Sequence, residues 1–495
     1  MVDPLRLLSA HSLLNLESIA ALGFVVAMLI RSSADGSDVE RDGARRRNWP
    51  VFVGLCAAIL FCYWRVLGAP FLYDDYTHIT DARHADWRSI MAAFGPVENP
   101  PGLFYRPFGF LVYWINYCIA GADPQLWHLA SVAFHALNAC LVYSLGRVLR
   151  LGAAGSLGAA LLFAFSGSAV ESVAWIDARF DPMAASLVLS SLLCVCRFLD
   201  SRRAVWLGLA CFTGVAGFAT KESAFCLPLL VGCLWFFRRL EQARLLVAFA
   251  SVGAVTVIAF TYRWWALGGI GGYRGPAGDA NIESFSVVRM LNAVLVRDWT
   301  ILFFPVNWSG GVGWVLAVLL CLTPVVLAIC VWRARVSRRV IVGSVAMTVF
   351  AAFPVQHLLL IGVDLANTRY VYLLSAGWAV LWGAVFAGIR WRWFAIGWMV
   401  ALHLVIAQHN LAFWLRVPEE ARAVCAEFGR TVLLTQGAAV VGGLPQRKDG
   451  VVFLANGFPE CVEMNGHVPA GRVTVYGTPN FVWNAATGRV EPVAK

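Results

Sequence analysis

The sequence predicts an all-α polytopic membrane protein of about twelve transmembrane helices with interfacial helices beside them, followed by a small C-terminal α+β extramembrane domain. Three observations predict it. Hydrophobic residues make up 59% of the 495 and charged residues only 14%, and the mean hydropathy of +0.69 lies outside the range of soluble globular domains. Apolar runs of roughly 17 to 25 residues, the length a bilayer core demands of a helix, recur along most of the chain. After about residue 412 the hydropathy falls and Gly and Pro punctuate shorter runs.

The spans fall near 12–30, 50–68, 126–149, 152–168, 182–198, 204–220 and 223–237, then near 244–262, 311–332, 340–361, 371–388 and 393–411. Segments 108–120 and 288–305 are shorter or interrupted by Arg297, Asp298 and Pro305, which suits helices that lie at the interface or re-enter it. The first run precedes a polar loop and a second span and has no convincing small-residue cleavage site, so it reads as a retained helix. Residues 69–125 form a first large loop, in which "GPVENPPG" (Gly95 to Gly102) excludes regular helix and "FYRPFGFLVYWINYCIAG" is aromatic enough to lie flat on the membrane. In the tail, 413–495, "PEEARAVCAEFGR" reads as helix, and "TVLLTQ", "GVVFLANGF" and "RVTVYGT" read as strands.

Basic residues set the orientation, because short cytoplasmic loops retain Lys and Arg. One set of loops holds Arg45, Arg46, Arg47, Arg147, Arg150, Arg197, Arg202, Arg203, Arg238, Arg239, Arg244, Arg333, Arg335, Arg338, Arg339, Arg390 and Arg392. With these cytoplasmic, alternation places the Asp74 loop, the Glu171 loop, Lys221, the Gly-rich segment 266–278, Arg369 and the tail outside. The net charge of +10 is then an insertion signal; no basic patch is interleaved with stacking aromatics, so nucleic acid is not a partner. Of 13 cysteines, most sit in or beside apolar spans without metal-ligand spacing; Cys425 and Cys461 form a pair in the polar tail, and the sequence leaves open whether they join. The "NWS" sequon at Asn307 carries little weight, and no internal repeat is visible.

Charged groups inside or at the ends of membrane helices cost about 2.5 to 3.5 kcal/mol at the helix centre, so they serve a function or pair with one another. On the outer side the chain gathers Asp74 and Asp75, Arg106, His128 and His135, Glu171, Arg179, Asp181, Lys221, Glu222 and Arg369. Each has a structural alternative. The acidic pair can be a solvated carboxylate bound at a helix end. The histidines, seven apart on one face, can bond between helices. Glu171, Arg179, Asp181, Lys221 and Glu222 can form a salt-bridge network that shapes loops.

Specific strings give these residues a context. "FLYDDYTHI", "YRPFGFLVYWINYCIAGADPQLWHLASVAFHALNACLVYSL", "SAVESVAWIDARFDPMAASL" and "TKESAFCLPLLV", with "NTRYVYL" at Asn367 to Leu373, resemble in order and spacing the membrane half of the transmembrane and tetratricopeptide-repeat O-mannosyltransferases. These belong to the GT-C class, which uses polyprenyl-phosphate sugars. The resemblance covers residues 70 to about 230 and a short piece near 370. It implies a GT-C-like catalytic domain over 1–412, with 413–495 as an external domain, and a general base at Asp74 or Asp75. Tyr105, Arg106, His128, Glu171, Arg179, Asp181, Lys221, Glu222, Arg369 and Tyr372 would serve donor phosphate and substrate binding, with Arg369 and Lys221 foremost for phosphate. No cofactor is certain; a divalent metal is one option for sharing the phosphate charge. Two departures stand out: Ser166 and Gly167 replace the family's His-Pro pair, and Asp81 stands where an Asn often follows the acidic pair. The repeat tail is absent, so a protein acceptor is no longer implied over a glycan or a lipid.

The reading is an inverting glycosyltransferase of the bacterial inner membrane that moves a monosaccharide from a polyprenyl-phosphate donor to an acceptor hydroxyl on the periplasmic face. The alternatives are a flippase of lipid-linked sugars and a non-catalytic cell-envelope scaffold. Against the flippase, the charges collect at one surface and no inverted repeat is seen.

Overall fold

The computed structural model describes residues 48–96, 104–238, 242–269, 271–272, 287–292, 296–358, 361–435, 437–469 and 471–493. The span expected at 12–30, the Arg45 to Arg47 cluster, Arg239 and most of "GPVENPPG" lie outside them.

The membrane helices begin with α1 (Trp49–Tyr63), extended by a 3₁₀ turn to Gly68. Two short polar helices follow, α2 (Asp74–His84) and α3 (Trp87–Ala92), then α4 (Pro107–Ala120) and α5 (Pro124–Val148). Next come α6 (Gly152–Ala164), the one-turn α7 (Val170–Ala174), α8 (Phe180–Ser201), α9 (Ala204–Phe218), α10 (Leu227–Cys233) and α11 (Gln242–Leu267). The chain continues through α12 (Val287–Asn292), α13 (Asp298–Phe303), α14 (Trp314–Arg333), α15 (Arg338–Ala352), α16 (Leu374–Ala387) and α17 (Arg392–Leu434).

Among the described residues seven helices are long and apolar enough to cross a membrane, or eight if the pair 152–164 and 167–174, bent by 43°, counts as one span. This makes an integral polytopic membrane protein. The expected count of about twelve is not reproduced: 204–220, 223–237 and 371–388 become shorter apolar helices. The reason shows in α16, whose side chains are almost all buried. Its apolarity matches neighbouring helices and does not require full membrane thickness. Helices α5, α6, α8 and α16 pack together as the core, whereas α11 and α14 leave much of their apolar surface facing outward, as lipid contact requires.

Alternation of the helices sorts the charges by end. At one end Arg238 pairs with Asp200 at 2.8 Å, Arg244 donates to the Leu199 carbonyl at 2.8 Å, and Arg335 N donates to the Gly388 carbonyl at 3.2 Å. The acidic loop lies at the other. There α2 is oriented by its charges: Asp74 and Asp75 occupy its first turn and Arg83 and His84 its last, which complements the helix dipole. Helix α3 starts on an Asp86–Ser89 capping box.

Helix α17 runs 43 residues through Pro418 into the tail, about 65 Å at 1.5 Å per residue. It absorbs "PEEARAVCAEFGR", and it also absorbs "TVLL", where strand was expected. Arg472 Nη2 caps that end, donating to the Val432 and Thr435 carbonyls at 3.1 and 2.8 Å, and Val432 is buried. Beyond it, β1 (Ala439–Gly442), β2 (Arg447–Lys448), β3 (Val451–Val452), α18 (Phe458–Gly466), β4 (Val473–Thr474), β5 (Phe481–Asn484) and β6 (Arg489–Pro492) form a small α+β unit. One sheet has the order β4-β1-β5-β6, parallel about β1 and antiparallel at β5–β6, and β2 pairs with β3. Cys425 and Cys461 are joined, fixing α18 to α17.

The α6–α16 crossing depends on glycine. A Cβ at Gly155 would stand 2.6 Å from the Gly383 carbonyl oxygen, and one at Gly383 would stand 2.5 Å from that of Gly155. Gly155→Leu should therefore force α6 from α16 and cost about 1–3 kcal/mol, read as a lower unfolding temperature in lipid nanodiscs; an unchanged transition would contradict this packing.

Candidate active site

The acidic pair divides its duties. Asp75 is buried; its Oδ2 accepts the Leu72 amide at 3.0 Å and its Oδ1 accepts the Asp177 amide at 2.9 Å. It ties the start of α2 to the turn before α8. Asp74 is partly exposed, with its Oδ1 accepting Asn456 Nδ2 at 3.1 Å. Burial lifts its carboxyl pKa, the Asp177 carboxylate adds to the rise, and together they carry it to about 6. Burial also pushes the Asp75 carboxyl up.

One turn along α2, His78 Nε2 meets Asp177 Oδ1 at 2.8 Å. Burial opposes charge on this imidazole, but Asp177 outweighs it and raises the pKa to about 9. The ring packs against Phe110, Tyr113 and Phe180.

Each expected phosphate-binding cation has a carboxylate or amide partner. Arg369 Nη1 donates to Glu171 Oε1 at 2.7 Å, while Glu171 Oε2 accepts Thr368 Oγ1 at 3.0 Å and the Arg369 amide at 3.1 Å. The guanidinium also lies over the Trp175 and Tyr370 rings, 4.9 and 4.7 Å from their centroids. Lys221 pairs with Asp181, both buried, and its ammonium lies 5.3 Å from the Tyr370 ring centroid. Glu222 receives Arg106 at 2.8 Å and Arg263 at 3.3 Å. Arg106, Lys221 and Arg369 stand within electrostatic reach of Asp181, and Arg106 and Arg369 within reach of Asp177, so these pairs share one site.

Other expected residues lie apart from that cluster or brace it. Arg179 is fully buried, donates to Asn116 Oδ1 at 2.7 Å and to the Trp127 carbonyl at 3.2 Å, and stacks on Tyr113. Tyr372 is buried, its hydroxyl between His135 Nδ1 at 2.7 Å and Asn138 Nδ2 at 3.2 Å. His135 Nε2 meets the Ala164 carbonyl at 2.9 Å, and His128 lies against the backbone of Ala69 and Pro70. These contacts join helices. Tyr105 donates to the Phe94 carbonyl at 2.8 Å. Among the described residues no three His, Cys, Asp or Glu side chains are grouped to hold a metal.

Asp177, His78, Arg263 and Asn456 were not singled out from sequence. His78 follows Asp74 by four residues, one helical turn, and that spacing was a usable signal. Asp177 lies inside "WIDARF", whereas nothing marks Asn456, 382 positions from its partner.

No family model matches the chain. Protein O-mannosyl-transferase TMTC1 of Homo sapiens is 30% identical over 188 residues, covering 35% of this chain and 21% of that protein. Protein O-mannosyl-transferase Tmtc1 of Drosophila melanogaster is 30% identical over 186 residues, covering 36% and 22%. The chain thus spans about a fifth of the length of these curated relatives. Among solved structures, apo ArnT from Cupriavidus metallidurans aligns over 86% of both chains with a TM-score of 0.48 and 12% identity.

The Glu171–Arg369 pair is buried and fully bonded, so removing one partner strands a charge. Glu171→Gln should cost about 3–5 kcal/mol of stability, and Glu171→Leu combined with Arg369→Leu should recover most of it; equal losses in single and double variants would contradict the coupling.

Proposed function

We propose that this chain, a relative of the membrane domain of the protein O-mannosyl-transferases, is an inverting glycosyltransferase that takes a monosaccharide from a polyprenyl-phosphate donor. The observation that carries the reading is Asp74. It is a partly exposed carboxylate beside the His78–Asp177 pair and within electrostatic reach of Arg369, hydrogen-bonded by Asn456, with a pKa raised to about 6.

The acceptor hydroxyl oxygen attacks the anomeric carbon as the bond from that carbon to the phosphate oxygen breaks. The hydroxyl proton passes to Asp74, and the bonding pair leaves with the polyprenyl phosphate. Asp75 is less suited to this step because both of its oxygens already accept backbone amides. Leaving-group charge falls to the cations: Arg106, Lys221 and Arg369 are held in place by Glu222, Asp181 and Glu171, so they meet a phosphate without reorganising. The basic helix ends favour the cytoplasm, which supports an external face for this chemistry.

Asp74→Asn should lower sugar transfer from polyprenyl-phosphate mannose by about 10²–10⁴-fold with folding intact; full activity removes the base assignment, and translocation of the lipid without cleavage favours a flippase. The base must be ionised, so the wild-type rate should rise with pH through about 6 and then level off. A rate already level well below pH 5 would contradict it.

A further inference from the structure

We infer that the C-terminal domain completes this site: Asn456 is a positioning residue whose amide orients the Asp74 carboxylate towards the acceptor hydroxyl. The inference rests on the assignment of Asp74 as the base. A carboxylate that abstracts a proton needs one oxygen aimed at the hydroxyl, and a hydrogen bond to the other oxygen fixes the rotation that aims it. Asn456 Nδ2 supplies that bond to Oδ1 at 3.1 Å.

The chain is built to bring Asn456 this close. The next residue, Gly457, has φ of +66°, and a Cβ there would stand 2.2 Å from the Tyr73 carbonyl oxygen. Any side chain at 457 would push the turn off α2. Tyr73 itself, the residue before Asp74, is held at φ 56° and ψ −121°, a costly conformation for a residue with a side chain. Two turns along α18, Asn465 Nδ2 donates to the Tyr76 hydroxyl at 3.1 Å, and the Cys425–Cys461 link ties α18 to the long helix.

The same domain also seats the turn that carries Arg369. Arg447 Nη2 donates to Asn367 Oδ1 at 2.8 Å, and a Cβ at Gly450 would stand 1.9 Å from the Asp364 carbonyl oxygen. Asn307 Nδ2 donates to the Asp449 carbonyl at 2.8 Å. The tail thus grips both halves of the site.

The groups that act on Asp74 are Asp75 and His78 on its own helix, Asp177 before α8, Arg369 before α16, and Asn456. Only the last changes in Asn456→Ala and Asn456→Asp. Purified full-length protein in nanodiscs would be labelled with a hydrophobic carbodiimide, which attacks protonated carboxyls, and the Asp74 adduct quantified by mass spectrometry between about pH 4 and 9. Losing a donor to the charged form should move the labelling midpoint up by about 0.5–1 pH unit in Asn456→Ala, and further in Asn456→Asp. Transfer from polyprenyl-phosphate mannose at pH 6 should fall about two- to five-fold and recover at pH 8, with KM for the donor unchanged. An unmoved midpoint in both variants, with Cys425–Cys461 intact, overturns the inference. Retained transfer in Asp74→Asn instead overturns the base assignment, and the labelling midpoint still reports on Asn456.

Discussion

The buried contact between Glu171 and Arg369 organises the site. Glu171 stands on the one-turn helix that follows the break after α6, and Arg369 stands on the 3₁₀ turn that leads into α16. The two helices behind them touch backbone to backbone at Gly155 and Gly383. A charge pair at one end and a glycine crossing further along therefore fix the same two elements in angle and in height. Desolvating two charges is expensive, and the cost is met because both carboxylate oxygens are engaged by Arg369 and Thr368.

From this anchor the polar cluster is layered. Deepest, Glu171 and Asp181 hold Arg369 and Lys221; nearer the surface, Glu222 holds Arg106 and Arg263, and His78 pairs with Asp177 beside Asp74. Of these arginine and lysine cations, Arg369 is the one that acts on the half-open Asp74 carboxylate, lowering the cost of its charge.

The sequence made the long spans legible, because twenty apolar residues in lipid have little choice but helix, and α1, α5, α8, α11 and α14 follow. The lengths of α9 and α16 were less legible: both come out shorter than the spans expected, and in α16 an apolar run buried among other helices reads like one facing lipid. The sequence misjudged "TVLL", whose β-branched residues favour strand until Arg472, from a later loop, closes the helix end. The acids and bases of the site were legible as charges out of place in an apolar chain. Their pairing was not, because Glu171 and Arg369 lie 198 positions apart and Arg106 and Glu222 lie 116 apart. Asn456 was beyond reach, being a polar residue in a polar tail whose meaning arises only from where that tail folds back.

The unbroken course of α17 acts together with the several contacts of the tail to keep Asn456 at Asp74. A single exposed hydrogen bond between two side chains is worth only about 0.5–1.5 kcal/mol, too little to recruit a freely tethered module. A stiff rod leaves the module almost no volume to explore, so its local concentration at the rim is high before any bond forms. Placement is thereby inherited from the membrane, and the outer surface of the small sheet is free to diversify without the tail losing its seat.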